Sequence, residues 1–99
     1  MTKKKILVTD KLKIKQSEEI LFQDIEDELI ILNISDENYL GLDQVGTRMW
    51  NVLLNSNTTK QAYDQLLEEY DVEPTTLKKD LNNFINNLIE NNLVKLTSA

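Results

Sequence analysis

The sequence predicts an α+β fold. Short apolar runs of strand character fill its first half, and apolar residues recur at helical spacing through its second. Clusters of turn-forming residues separate the runs. The 99 residues include two glycines, one proline and no cysteine or histidine. A chain of this size buries roughly 65% of its unfolded surface, enough for one core. The expected organisation is a flexible lysine-rich arm over residues 1–10 followed by a single domain over 11–99.

The strand half reads as follows. Residues 12–16 (LKIKQ) alternate apolar with charged, and residues 20–25 (ILFQDI) continue that character. Asp24, Glu26, Asp27 and Glu28 then cluster as a charged hairpin turn. Residues 29–34 (LIILNI) are apolar on both faces, which suits a central strand. Ser35, Asp36, Glu37 and Asn38 form a second turn cluster. A short strand follows through Tyr39 to Leu42, with Leu40 and Leu42 on one face and Tyr39 and Gly41 on the other. The expected arrangement is an antiparallel meander.

Three helices fill the other half. Asp43 is suited to cap the first, whose stripe is Val45, Met49, Val52 and Leu53 with Trp50 and Leu54 beside it. Trp50 is expected in the core. Asn55, Ser56 and Asn57 break the pattern, and Thr58 with Gln61 has the spacing of a capping box for the second helix. That helix carries Ala62, Leu66 and Tyr70, with Tyr63 and Leu67 alongside. Pro74 suits the first turn of the third, whose stripe is Leu77, Leu81, Phe84, Ile85 and Leu88. Asn91 and Asn92 end it, and Leu93, Val94 and Leu96 pack the tail. A winged helix-turn-helix arrangement fits this order of elements.

Composition excludes most chemistry. Without cysteine there is no thiol chemistry and no thiolate-bound zinc, and without histidine the commonest general base and metal ligand is missing. Neither glycine sits in a phosphate-binding loop. Asp24, Glu26, Asp27 and Glu28 lack the spacing and glycine of a calcium loop, so a solvated turn is the expected state. No catalytic residue, cofactor or metal is expected, and binding is the default reading. No apolar run approaches the roughly 18 residues of a membrane span. The start of the chain also lacks the apolar core of a secretory signal, so the expected location is the cytoplasm.

Charge is distributed unevenly. Residues 1–16 carry six lysines against Asp10, whereas residues 17–99 carry five basic and sixteen acidic groups. A body this acidic repels phosphate backbones, so no nucleic-acid partner is expected. Two polar-site candidates remain. Tyr39 lies on the short strand opposite Leu40 and Leu42, where it can line an open edge. Asp80 sits one position off the stripe of the third helix and is expected to flank the buried face, where its carboxylate can accept hydrogen bonds.

Four pieces in order carry a family resemblance. The first is the apolar strand LIILNI with its polar turn. The second is NYLGLDQVGTRMWNVL, residues 38–53, which joins an aromatic, glycine and leucine to an aspartate-capped helix carrying tryptophan. The third is a Thr-led helix ending in EEYDVEP, residues 68–74. The last is KKDLNNFINNLIENNLV, residues 78–94. Together they resemble the PqqD-like family, over Leu29 to Leu96.

Members of that family recognise the leader of a ribosomally made precursor peptide and deliver it to modifying enzymes. The resemblance implies three antiparallel strands packed on three helices, a winged helix-turn-helix variant used on peptide. It implies a leader added as an extra strand beside the third strand, in the cleft against the third helix. Carried over here, the strand residues are Asn38, Tyr39, Leu40, Gly41 and Leu42, and the helix residues are Asp80, Asn83, Phe84 and Asn87. The implied enzyme partner is a leader peptidase, as in lasso-peptide systems, or a radical enzyme, as in pyrroloquinoline quinone synthesis. The lysine-rich N-terminus suits the lasso arrangement. One departure stands at Asn92, where many members have glycine; asparagine tolerates the left-handed conformation needed there.

The alternative is a winged-helix DNA-binding transcription regulator. It needs a basic recognition helix, whereas the third helix sets Lys78 and Lys79 against Asp80 and Glu90, and Arg48 is the only arginine. The chain is expected as a monomer, or as a homodimer through a strand edge.

Overall fold

The computed structural model describes residues 12–26 and 28–98, with Ser98 described in its backbone alone. The arm expected over residues 1–10 and Asp27 of the acidic turn lie outside these. The elements run β1 (Leu12–Gln16), β2 (Ile20–Ile25), β3 (Glu28–Asn33), β4 (Asn38–Leu42), α1 (Gln44–Asn55), α2 (Thr59–Glu69), α3 (Pro74–Glu90) and β5 (Val94–Ser98).

The expected meander is β2-β3-β4, all antiparallel, with β3 central. Ile25 pairs with Glu28, so Asp24 and Glu28 belong to strands rather than to the acidic turn. Glu26 takes a positive φ of 57°, as tight hairpin connections need. The central strand stops at Asn33, one residue earlier than the apolar run suggests. Ile34 instead enters the turn, where its N–H donates to the Glu19 carbonyl at 3.1 Å. The Asn33 side chain anchors this turn by accepting from the Asp36 N–H.

The sequence predicts packing alone for the chain's tail. It is in fact strand β5, which pairs with β1 in a separate two-stranded sheet, setting Ile14 opposite Leu96. The alternation of LKIKQ is answered here. Ile14 turns fully into the core while Lys15 stays exposed. Lys13 has another use: its ammonium donates to the carbonyls of Leu54 (2.9 Å) and Ser56 (2.6 Å), satisfying groups that the end of α1 leaves unpaired.

Both expected caps form. Asp43 accepts from the Gly46 N–H at 2.8 Å. Thr58 accepts from the Gln61 N–H at 3.1 Å, while Gln61 reaches back to the Asn57 N–H. Pro74 opens α3. The core gathers Ile14, Leu29, Ile31, Leu42, Met49, Trp50, Val52, Leu53, Leu66, Leu81, Ile85, Leu88 and Leu93. Trp50 is 3% exposed, as expected, and Phe22 meets its ring edge-on at 5.8 Å between centroids. Two expected stripe members differ. Val45 is 46% exposed because it falls in the first turn of α1, before that helix reaches the core, and Phe84 is only half-buried at the margin of the α3 stripe.

The end of α3 shows how Asn92 replaces glycine. Asn92 takes φ 57°, its N–H donates to the Ile89 carbonyl, and the Leu93 N–H donates to the Leu88 carbonyl at 3.0 Å. These bonds, with Leu88 and Leu93 both fully buried, make a Schellman closure. Asn92→Val is expected to lose about 1–2 kcal/mol in urea unfolding, because a β-branched residue is strained at positive φ. Asn92→Gly should match or slightly exceed the parent. Equal loss in both variants would place the role of Asn92 in its side chain rather than its backbone.

Candidate functional site

The site begins with the backbone of β4. Among the described residues no strand pairs with its outer edge, since β3 takes only one side. In an antiparallel ladder alternate residues turn their N–H and C=O groups to the same neighbour. The Ile34 N–H bonds Glu19, on the β2 side. By alternation Leu32 and Ile30 also face β2, and Asn33, Ile31 and Leu29 face β4. Their partners Asn38, Leu40 and Leu42 point back to β3. Tyr39 and Gly41 are left with backbone donors and acceptors directed away from the sheet.

Side chains divide in the same alternation. Leu40 and Leu42 turn toward the core, Leu42 buried and Leu40 half-buried. Tyr39 is 71% exposed on the opposite face. Gly41 has open space where a Cβ would stand on that face. The strand is fixed at its start: the Asn38 amide donates to the Asn91 carbonyl at 3.3 Å, and the Asn33 amide donates to the Asn92 carbonyl at 2.6 Å. These two bonds hold the sheet to the C-terminal end of α3. Asn91 and Asn92 therefore position the edge as well as ending the helix. Their sequence signal, paired asparagines after an amphipathic run, identified only the second role.

On α3, Asp80, Asn83, Phe84 and Asn87 recur at the spacing of one helical face. Asp80, Asn83 and Asn87 are exposed and Phe84 is half-buried. Asp80 thus points to solvent, not along the margin of the buried face, because Leu77 and Leu81 take the buried positions around it. Among the described residues the side chains of Asp80 and Asn83 carry no hydrogen bond or ion pair. Asn87 accepts from the Asn91 amide through its carbonyl. The asparagine pairs largely serve the helix itself: Asn86 donates back to the Asn82 carbonyl as Asn91 does to Asn87.

Electrostatics follow the strands. Residues 17–47 hold nine acidic residues and no lysine or arginine. The sole arginine, Arg48, forks onto the Glu69 carboxylate. The hydrogen bond to Glu69 raises the guanidinium's pKa, and the same bond holds Glu69 below the ordinary carboxylate range. Lys78 lies over the Tyr63 ring at 5.6 Å. Among the described residues no three potential ligands converge as a metal site, and no helix is long and apolar enough to cross a membrane.

The sheet has a second edge at β2, where Phe22, Leu29, Trp50, Asn51 and Leu54 line a cavity of about 440 Å³ beside α1. No motif in the sequence marks this edge.

Comparison with known proteins bears on these edges. Residues 28–94 match the family described as Coenzyme PQQ synthesis protein D (PqqD). No curated protein matches the chain. Two solved structures are similar. One is "TbiB1 in Complex with the TbiA(beta) Leader Peptide", 31% identical over 82% of this chain and 94% of that one, at a TM-score of 0.73. The other is "Lasso peptide synthetase B1 complexed with the leader peptide", 20% identical over 84% of this chain and 98% of that one, at a TM-score of 0.74, a likeness of fold.

Proposed function

We propose that this chain, which belongs to the PqqD family, binds the leader region of a ribosomally made precursor peptide by strand addition to β4 and presents it to a separate enzyme. The observation that carries this reading is the outward-facing backbone of Tyr39 and Gly41 on an edge strand. The similar structures described with leader peptide bound support it. Asn38, Leu40 and Leu42 hold the strand to the sheet, and Asp80, Asn83, Phe84 and Asn87 supply the helix wall.

Magnitudes indicate what the leader must bring. Four outward backbone groups each contribute roughly 0.5–1.5 kcal/mol net when paired. Ordering a flexible peptide costs about 2–5 kcal/mol or more, so backbone pairing alone nearly cancels. Each large apolar side chain buried against Leu40 and Phe84 adds about 1.5–3 kcal/mol, and two or three such anchors bring affinity to the micromolar range or tighter. In this reading the chain is a cytoplasmic recognition protein without chemistry of its own. The recipient in this reading is a leader peptidase or a radical enzyme. The DNA-binding alternative gains no support: the only arginine is held by Glu69, and residues 17–47 carry acids without bases.

Fluorescence polarisation with a labelled leader, taken from any precursor gene beside this one, tests the reading. Saturable binding at micromolar or lower concentration is expected, and no binding by a folded sample would overturn it. Asp80→Ala should weaken the leader about five- to tenfold, the scale of one hydrogen bond to a charged group. Its melting temperature should not move, because Asp80 is exposed and unpaired among the described residues. Unchanged affinity would remove Asp80 from the cleft.

A further inference from the structure

The β2-β3-β4 sheet has two open edges, and only β4 belongs to the site described above. By the alternation that bonds Leu21 and Gln23 to β3, Phe22 and Asp24 direct their N–H and C=O groups away from the sheet. Among the described residues no strand pairs with them. The groove beneath this edge is covered on one side only. Phe22 shares its row and its face with Ile31, which is fully buried, yet Phe22 is 44% exposed. α1 meets it through Trp50, and the cavity between them is walled by Asp24, Trp50 and Leu54. A large aromatic on the inward face of a sheet, beside unpaired backbone, fits an extended segment with apolar side chains at alternate positions.

The chain itself carries such a segment. Residues 1–11 precede Leu12 and include Lys3, Lys4, Lys5, Ile6, Leu7 and Val8. Ile6 and Val8 are β-branched and, two residues apart, share one face of an extended chain. The lysines answer the charge of the edge. Residues 17–47 hold nine acidic residues and no lysine or arginine, with Asp24 in the groove wall and Glu26 just past the end of β2. Opposite charge of this kind steers and fixes docking. Reach is sufficient. Lys13 donates to the Leu54 carbonyl at 2.9 Å, and Leu54 also lines the groove, so β1 starts close to it. Eleven extended residues span about 36 Å, far more than the one lysine side chain that joins the two. A second copy paired edge to edge would instead set acids against acids.

We propose that the N-terminal segment docks in cis as a strand along the β2 edge, with Ile6 and Val8 over Phe22 and the lysines toward Asp24 and Glu26. It closes an edge that any other extended chain could use. On the leader-binding reading this leaves β4 as the edge for the leader, but the docking itself does not rest on that reading.

Amide hydrogen exchange, followed by NMR on the full chain without leader, tests this. In the wild type the Phe22 and Asp24 amides should be protected at least about tenfold more than those of Tyr39 and Gly41, after correction for intrinsic rates. Ile6→Ser with Val8→Ser should bring all four to similar fast exchange. Lys3→Glu with Lys4→Glu and Lys5→Glu should act in the same direction and leaves every apolar residue in place, should the first variant fold poorly by circular dichroism. Raising salt from about 50 to about 300 mM should lower the wild-type protection, because charge screening grows. Leader affinity, read separately by polarisation, should stay within about twofold in both variants. Phe22 and Asp24 exchanging as fast as Tyr39 and Gly41 in the wild type overturns the proposal. So does protection that the substitutions leave unchanged, protection lost on dilution, which gives the edge to a second copy, or protection at Tyr39 and Gly41 instead, which puts the segment on the other edge. A chain with protected Phe22 and Asp24 that binds no leader keeps the docking and sinks the leader-binding reading alone.

Discussion

Tyr39→Pro is expected to weaken leader binding by about 10- to 30-fold. The substitution removes an outward N–H that the leader's strand would use, and the fixed ring crowds the edge where the leader must lie. The lost bond and its disturbed neighbour amount to about 1.4–2 kcal/mol. The ladder to β3 is spared, since Asn38, Leu40 and Leu42 carry it. Stability in urea should therefore fall by less than affinity does. Asp24→Pro makes the same change at an outward position of β2, the opposite edge. It should leave polarisation titrations within about twofold of the parent, a difference of about 0.4 kcal/mol. If Asp24→Pro abolishes binding and Tyr39→Pro does not, the leader uses the β2 edge and the cavity beside Trp50.

Trp50→Ala is expected to cost about 3–5 kcal/mol of stability. Trp50 joins the helical layer to the sheet: it is buried among α1 residues and receives the edge of Phe22 from β2. Its truncation leaves a cavity where α1 meets Phe22 of β2 as well as the core. Domains of this size have about 5–15 kcal/mol in total, so the variant should melt far below the parent by circular dichroism. Leader affinity measured at low temperature, where the fold persists, should change little, because β4 lies across the sheet from Phe22. A small stability change with a large loss of affinity would make Trp50 part of the recognition surface.

The helical half was legible because its signals are local. A cap needs a side chain and an N–H a few residues away, and Asp43 with Gly46 and Thr58 with Gln61 satisfy that within one turn. Pro74 and the stripe of Leu77, Leu81, Ile85 and Leu88 likewise need only helical geometry. Asn92 was legible for the same reason, because left-handed backbone is a property of one residue. The errors came where a neighbour in space decided. Phe84 and Val45 fit their stripes by period, yet the width of the buried face is set by what packs against it.

By itself the sequence determined the α+β class, the segments of β1 to β4 and of the three helices to within a residue or two, the central place of β3 and the burial of Trp50. Each follows from period, capping chemistry or volume, which act over short stretches of chain. Tertiary structure alone decided that the tail pairs with β1, that Asn91 and Asn92 tether the sheet to α3, and that Asp80 faces solvent. It also decided which backbone groups of β4 point outward and which apolar side chains of β2 and β3 stay uncovered. The pattern LIILNI reads as apolar on both faces, but only the packing of α1 says which face receives a cover. The binding edge belongs to this second group, because an unpaired strand edge is defined by the neighbour it lacks, and no stretch of sequence records that.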